Sequence, residues 1–171
     1  GLERAKIEAE LKELQKIIDH LESLLKDVMK ILKVIRDELV YLKEKYGVSK
    51  AYIFIGFVAL NQSLYDKLQE VGFILKFKPT IPDSNGKIKG NVDADLILRA
   101  VVEIGEYDRA VVVSNDGDFY SLVEYLYENK KLEVVLSPDK NFCSNLLMQT
   151  AKERIQFMNE LQEKLEYKKK S

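Results

Sequence analysis

The chain has 171 residues, of which 46% are hydrophobic and 32% charged, and its formal net charge is −1. That is enough for one ordinary domain with an appendage, and it excludes an overall basic field, so any nucleic-acid contact must come from a local patch. The single cysteine, Cys143, and the single histidine, His20, exclude an internal disulfide and a Cys/His zinc site, and they count against a Ser-His-Asp triad.

No apolar run approaches the roughly 18 residues of a membrane span. No secretory signal pattern, Walker A sequence or G-x-G-x-x-G is present. With one cysteine this fits a reducing compartment, so the expected setting is the cytoplasm, without a membrane partner.

The first segment, residues 1–46, carries apolar residues at Ile7, Leu11, Leu14, Ile18, Leu21, Leu25, Val28, Leu32, Ile35, Leu39, Leu42 and Tyr46. The steps alternate between four and three, which is a heptad repeat on one long helix ending near Gly47. Ile17, Leu24 and Ile31 widen the stripe. A helix of this length, roughly 65 Å at 1.5 Å per residue, outreaches a small domain. It either packs on its own domain or is an oligomerisation arm. The expected partners of the stripe are residues 145–166, a second copy of the chain, or both.

The second segment, 47–140, changes period. "AYIFIGFV" (51–58), "GFILKF" (72–77), "AVVVS" (110–114) and "LEVVLS" (132–137) predict strands. Helical patterns over Gln62–Val71, Val92–Ile104 and Phe119–Glu128 separate them. The alternation predicts an α/β core with about four parallel strands and helices on both faces. Strand 51–58 is expected to pair directly with 110–114. "PTIPDSNGKIKGN" (79–91) predicts one long loop. In the third segment, 141–171, Leu147, Ala151, Ile155, Met158, Leu161 and Leu165 keep near-helical spacing and predict a C-terminal helix before the basic tail "YKKKS".

Chemistry concentrates at "SNDGDF" (114–119), where an apolar strand ends on two aspartates sharing one glycine. Sites in open parallel sheets form at the carboxyl ends of strands. A right-handed crossover brings the start of the helix in "NVDADLILRA" to the same edge, so that Asp93 faces Asp116. Carboxylates gathered in this way repel unless a hard cation lies between them. Mg²⁺ or Mn²⁺ is the natural guest, able to position water at a phosphodiester. Each residue also has a plainer reading. Asp93 is either a ligand or a helix N-cap, Asp95 is a solvated first-turn acid, and Asp116 and Asp118 are either ligands or an acidic turn. Ser114 either orients a carboxylate or phosphate or merely ends the strand. Gly117 is expected to permit the tight turn. Lys76, Lys78, Lys87 and Lys89 lie near the same edge and either meet phosphates or are simply solvated.

"KGNVDADLILRAV", "YDRAVVVSNDGDFYSLVEYL" and "KLEVVLSP" together resemble the NYN domain, a branch of the PIN-like nucleases. The resemblance covers roughly 40 to 140. It implies a parallel-sheet α/β fold, Mg²⁺ or Mn²⁺ held by acids at strand ends, and cleavage of RNA, here single-stranded. It makes Asp93, Asp116 and Asp118 catalytic metal-site acids, with Ser114 beside them; of the lysines at that edge, Lys89 is the one expected on the phosphate side. The family pattern also has an early apolar strand ending in aspartate, within an "I-D-x-x-N" element. Its nearest echo here, "IIDHLES" (17–23), lies inside the heptads and puts Asp19 on a helix. The expectation is therefore a ribonuclease-like domain whose activity is weak or lost. The alternative is a non-catalytic, engineered or rebuilt α/β scaffold whose helices mediate assembly.

Overall fold

The computed structural model describes residues 1–86, 88–89 and 92–160, without the side chains at 28, 31, 88 and 89. Lys87, the Lys89 side chain, Leu161, Leu165 and the basic tail lie outside the described residues. The chain forms two compact units. One joins Gly1–Ala51 to Gln62–Ile74, and the other joins Tyr52–Asn61 to the chain from Leu75 onward.

The first unit is helical. Helix α1 runs unbroken over Leu2–Tyr46 and stops at Gly47, whose φ of 65° is left-handed. The Gly47 N–H donates to Lys43 O at 3.1 Å and the Val48 N–H to Leu42 O at 3.4 Å, which satisfies carbonyls the helix end would orphan. Helix α2 spans Gln62–Val71 and buries Tyr65 and Leu68. On α1, Leu32, Leu39 and Leu42 are buried, whereas the stripe from Ile7 to Leu25 is exposed. The heptads are thus all helical but only their later part is covered within the chain.

Burial raises the pKa of Glu38 on α1 above that of an ordinary glutamate. A carboxyl raised in the folded state contributes stability below its unfolded value that is lost as pH rises through the folded value. Glu38→Gln is therefore expected to raise the melting temperature at neutral pH. It should also flatten the stability loss that begins above about pH 4.5, which melts across that range would show.

Strand β1 (Tyr52–Gly56) of the second unit pairs with β2 (Ile74–Lys78), whose first residue closes the first unit. The Ile74 N–H donates to Ala51 O at 2.8 Å at one end and the Phe57 N–H to Lys78 O at 3.0 Å at the other, so the two strands run parallel. A three-stranded parallel sheet follows in the order β5 (Ala110–Val113), β6 (Leu132–Ser137), β7 (Ile155–Phe157). All four expected strands are present in an α/β fold, but β1 pairs with β2 and not with β5. Helix α3 (Asp93–Val102) contacts β1, and its Leu96, Ile97, Ala100 and Val101 pack on the β5–β7 core. A helix thus links the two sheets where direct strand pairing was expected.

Two further expectations change. The loop over 79–91 contains a short antiparallel pair, β3 (Ile81–Pro82) with β4 (Ile88–Lys89). The expected C-terminal helix is present first as α5, only Asn145–Ala151. It stops at Lys152, whose φ is 56°, and residues 155–157 become β7 beside β6, with Val135 opposite Ile155 and Ser137 opposite Phe157. The open edge of β6 offers Ile155–Phe157 a ladder of backbone hydrogen bonds, which helical spacing alone cannot reveal. The core gathers Leu122, Val123 and Leu126 of α4 (Tyr120–Glu128), Val135 of β6, and Leu147 and Ala151 of α5.

Candidate functional site

The acidic turn is built from the end of β5. The Ser114 N–H still reaches Leu136 O at 3.2 Å, and the chain then leaves the sheet. The Asp116 N–H donates to Ser114 Oγ at 3.0 Å, and the Asp118 N–H donates to Asp116 Oδ1 at 2.9 Å. Ser114 and Asp116 thereby hold the amides of Asp116 and Asp118 at the entry to a 3-10 turn over Gly117–Phe119, and buried Phe119 anchors it at the start of α4. Asn115 ties the turn to both neighbours. Its Oδ1 accepts from the Ser137 hydroxyl of β6, and its carbonyl accepts the Ser144 N–H, just before α5, at 3.0 Å.

Gly117 opens the tight 3-10 turn, and space is what favours glycine there. Among the described residues the glycines with positive φ are Gly47, Gly72 and Gly86, so no left-handed conformation demands glycine at 117. A Cβ there would instead lie 2.5 Å from Ser144 Oγ and 3.1 Å from Ser144 Cβ. Gly117→Ala is expected to cost about 1–3 kcal/mol through overpacking and to displace the two carboxylates. Adding Ser144→Gly should recover most of the loss. Denaturation of the single and double variants checks both statements.

Asp93 is the first residue of α3, with Val92 at the N-cap position. As a first-turn acid it is favoured by the helix dipole. One carboxylate oxygen from each of Asp93, Asp116 and Asp118 lies within 4.8 Å of the others, with Asp93 half-buried and the other two exposed. The crossover has brought together acids 23 and 25 residues apart in sequence. Asp95 stays outside this group and is exposed, and among the described residues no fourth acid joins it. Asp19 lies on α1, where its Oδ1 accepts from Gln15 Nε2 at 2.9 Å. An all-carboxylate set at this spacing suits a hard, oxygen-seeking divalent cation.

Along α3, between it and the β1–β2 pair, is a cavity of about 470 Å³ lined by Phe54, Lys76, Phe77, Lys78, Asp95 and Arg99, among others. Lys76 Nζ sits 5.7 Å from the Tyr52 ring centroid. Arg99 Nη1 is 2.6 Å from Glu103 Oε1. The sequence pointed to the lysines but not to Phe54, Phe77 or Arg99, because which face of a strand meets which face of a helix is not a local property. Asn115 and Ser144, which position the turn, were missed for the same reason.

The model of the NYN domain family matches residues 11–158. The chain belongs to the NYN domain family. Its fold is also similar to the crystal structure of a protein of unknown function from Vibrio parahaemolyticus. The TM-score is 0.51 at 28% identity, over 63% of this chain and 66% of that one. The NYN chain also matches sequences of the A subunit of DNA gyrase. It is 60% identical to the one from Clostridium acetobutylicum over 47 residues, which is 28% of this chain and 6% of that protein. It is 50% identical to the one from Campylobacter fetus over 138 residues, 73% of this chain and 16% of that protein. The NYN chain thus spans only a small part of the length of these curated relatives. NYN is a PIN-like nuclease family, so the α/β unit is a nuclease-like domain, and its acid cluster fits the divalent-metal dependence this family suggests.

Proposed function

We propose that the chain is a Mg²⁺- or Mn²⁺-dependent endoribonuclease of the NYN type, slow in turnover, acting on single-stranded RNA. The observation that carries this reading is the convergence of Asp93, Asp116 and Asp118 within 4.8 Å. Bound there, a divalent ion supplies charge neutralisation and a more acidic water. The chain's own part is positioning. Ser114 and the Asp118 amide fix Asp116, and the cavity beside α3 receives the flanking nucleotides. Lys76 and Lys78 meet phosphates there, and Phe54 and Phe77 offer rings to bases. Three acids without a strand-end partner hold the ion loosely, which favours millimolar affinity and slow cleavage. The likeness to DNA gyrase covers too little of that protein to carry its activity.

The test is incubation of end-labelled single-stranded RNA with the full chain, with Mg²⁺, with Mn²⁺ and with EDTA. Slow, metal-dependent internal cleavage is expected. Cleavage that persists in EDTA would overturn the reading. A second reading, a non-catalytic scaffold that assembles through its helices, is favoured by the exposed heptad stripe of α1. Absence of both metal binding and cleavage would select it.

A further inference from the structure

From Ile7 to Met29, α1 exposes nine large apolar side chains: Ile7, Leu11, Leu14, Ile17, Ile18, Leu21, Leu24, Leu25 and Met29 are each 46–69% exposed. Together they offer roughly 900 Å², more than the ~300–600 Å² of the largest apolar patch on a typical monomer. One side of a standard protein interface is about 800 Å². The face is therefore large enough to make a stable pair with its own copy.

The heptad register decides how two copies fit. Leu11, Ile18 and Leu25 occupy one core position, and Ile7, Leu14 and Leu21 the other. Glu3, Glu10, Ile17 and Leu24 flank the core on one side, and Glu8, Gln15, Glu22 and Met29 on the other. In a parallel pair opposite flanks meet five residues apart. That sets Glu3 against Glu8 and Ile17 against Glu22 of the second copy, and stacks Arg4 on Arg4 in a core layer. In an antiparallel pair like flanks meet. With the two-fold axis between residues 19 and 20, Ile18 faces Leu21 and Leu14 faces Leu25 in the core. On the flanks Ile17 faces Leu24, and Gln15 faces Glu22. Within Ile7–Met29 neither arrangement opposes like charges; the antiparallel one is set apart by pairing Ile17 with Leu24 and by keeping Arg4 off its own copy, and it places Met29 against Glu8.

We propose that the exposed part of α1 pairs with the same segment of a second copy of this chain, as a two-fold antiparallel coiled coil centred between Asp19 and His20. The interface is isologous, so it closes at the dimer. It does not depend on the nuclease reading.

Sedimentation or light scattering of the full chain is expected to give twice the 19.8 kDa chain mass. The double variant Leu14→Glu, Leu21→Glu should be monomeric while its circular dichroism keeps the strand and helix signal of the α/β unit. Orientation is read by mixing an Ile18→Cys chain with a Leu21→Cys chain under mild oxidation. Cross-links between the two variants should dominate over links of either to itself. A monomer at about 100 µM, or a dimer that survives both glutamates, would overturn the proposal. So would dominant self-linking of Ile18→Cys, which marks a parallel pair and does not require the glutamate variant to fold.

Discussion

Replacing Asp116 by Asn is expected to abolish RNA cleavage and to weaken Mg²⁺ or Mn²⁺ binding at least about tenfold, the equivalent of ~1.4 kcal/mol. The substitution removes one of three charges that converge within 4.8 Å, and with it a Coulombic partner of the cation. It keeps the side-chain oxygen that accepts the Asp118 N–H. The turn should therefore survive, and the metal-free protein should be as stable as the parent or more so, because repulsion with Asp93 and Asp118 falls. Asp116→Ala separates the two roles. It also loses the acceptor that caps the 3-10 turn, at a cost of about 1 kcal/mol. Mn²⁺ titration followed by electron paramagnetic resonance, with melts in EDTA, reads both effects. Brisk cleavage by the Asn variant would show that Asp116 is not needed for catalysis, and a marked loss of its metal-free stability would make it a structural residue.

Leu147→Ala should cost roughly 2–5 kcal/mol, a large share of the stability of a domain of this size. Leu147 is fully buried. It lies on α5, which packs on α4 and on the 3-10 turn that carries the acids. Truncation leaves a cavity in a close-packed site and loosens the segment that includes Ser144, against which Gly117 rests. Metal affinity should fall along with stability. Leu60→Ala is the matched control. Leu60 is 94% exposed, and its truncation should stay within about 0.5 kcal/mol. Urea denaturation of the two variants side by side decides the matter. Equal midpoints would mean that α5 is peripheral to the fold.

By itself the sequence determined the elements whose signals are local. Alternating steps of four and three made α1 a single helix, and Gly47 ended it through a left-handed φ that glycine adopts at no steric cost. Runs of β-branched residues made β5 and β6 strands. Acids on either side of a strand–helix junction marked the candidate site, because crossover handedness places helix starts and strand ends on one edge.

Only the tertiary structure decided the rest. Residues 155–157 fit a helical period as well as a strand, and the open edge of β6 settled it by offering hydrogen bonds from another part of the chain. The partner of β1, the contact that keeps residue 117 a glycine, and the point on α1 where burial begins were hidden for the same reason. Each depends on what lies opposite in space, and periodicity records only which face of an element is apolar, not what comes to cover it.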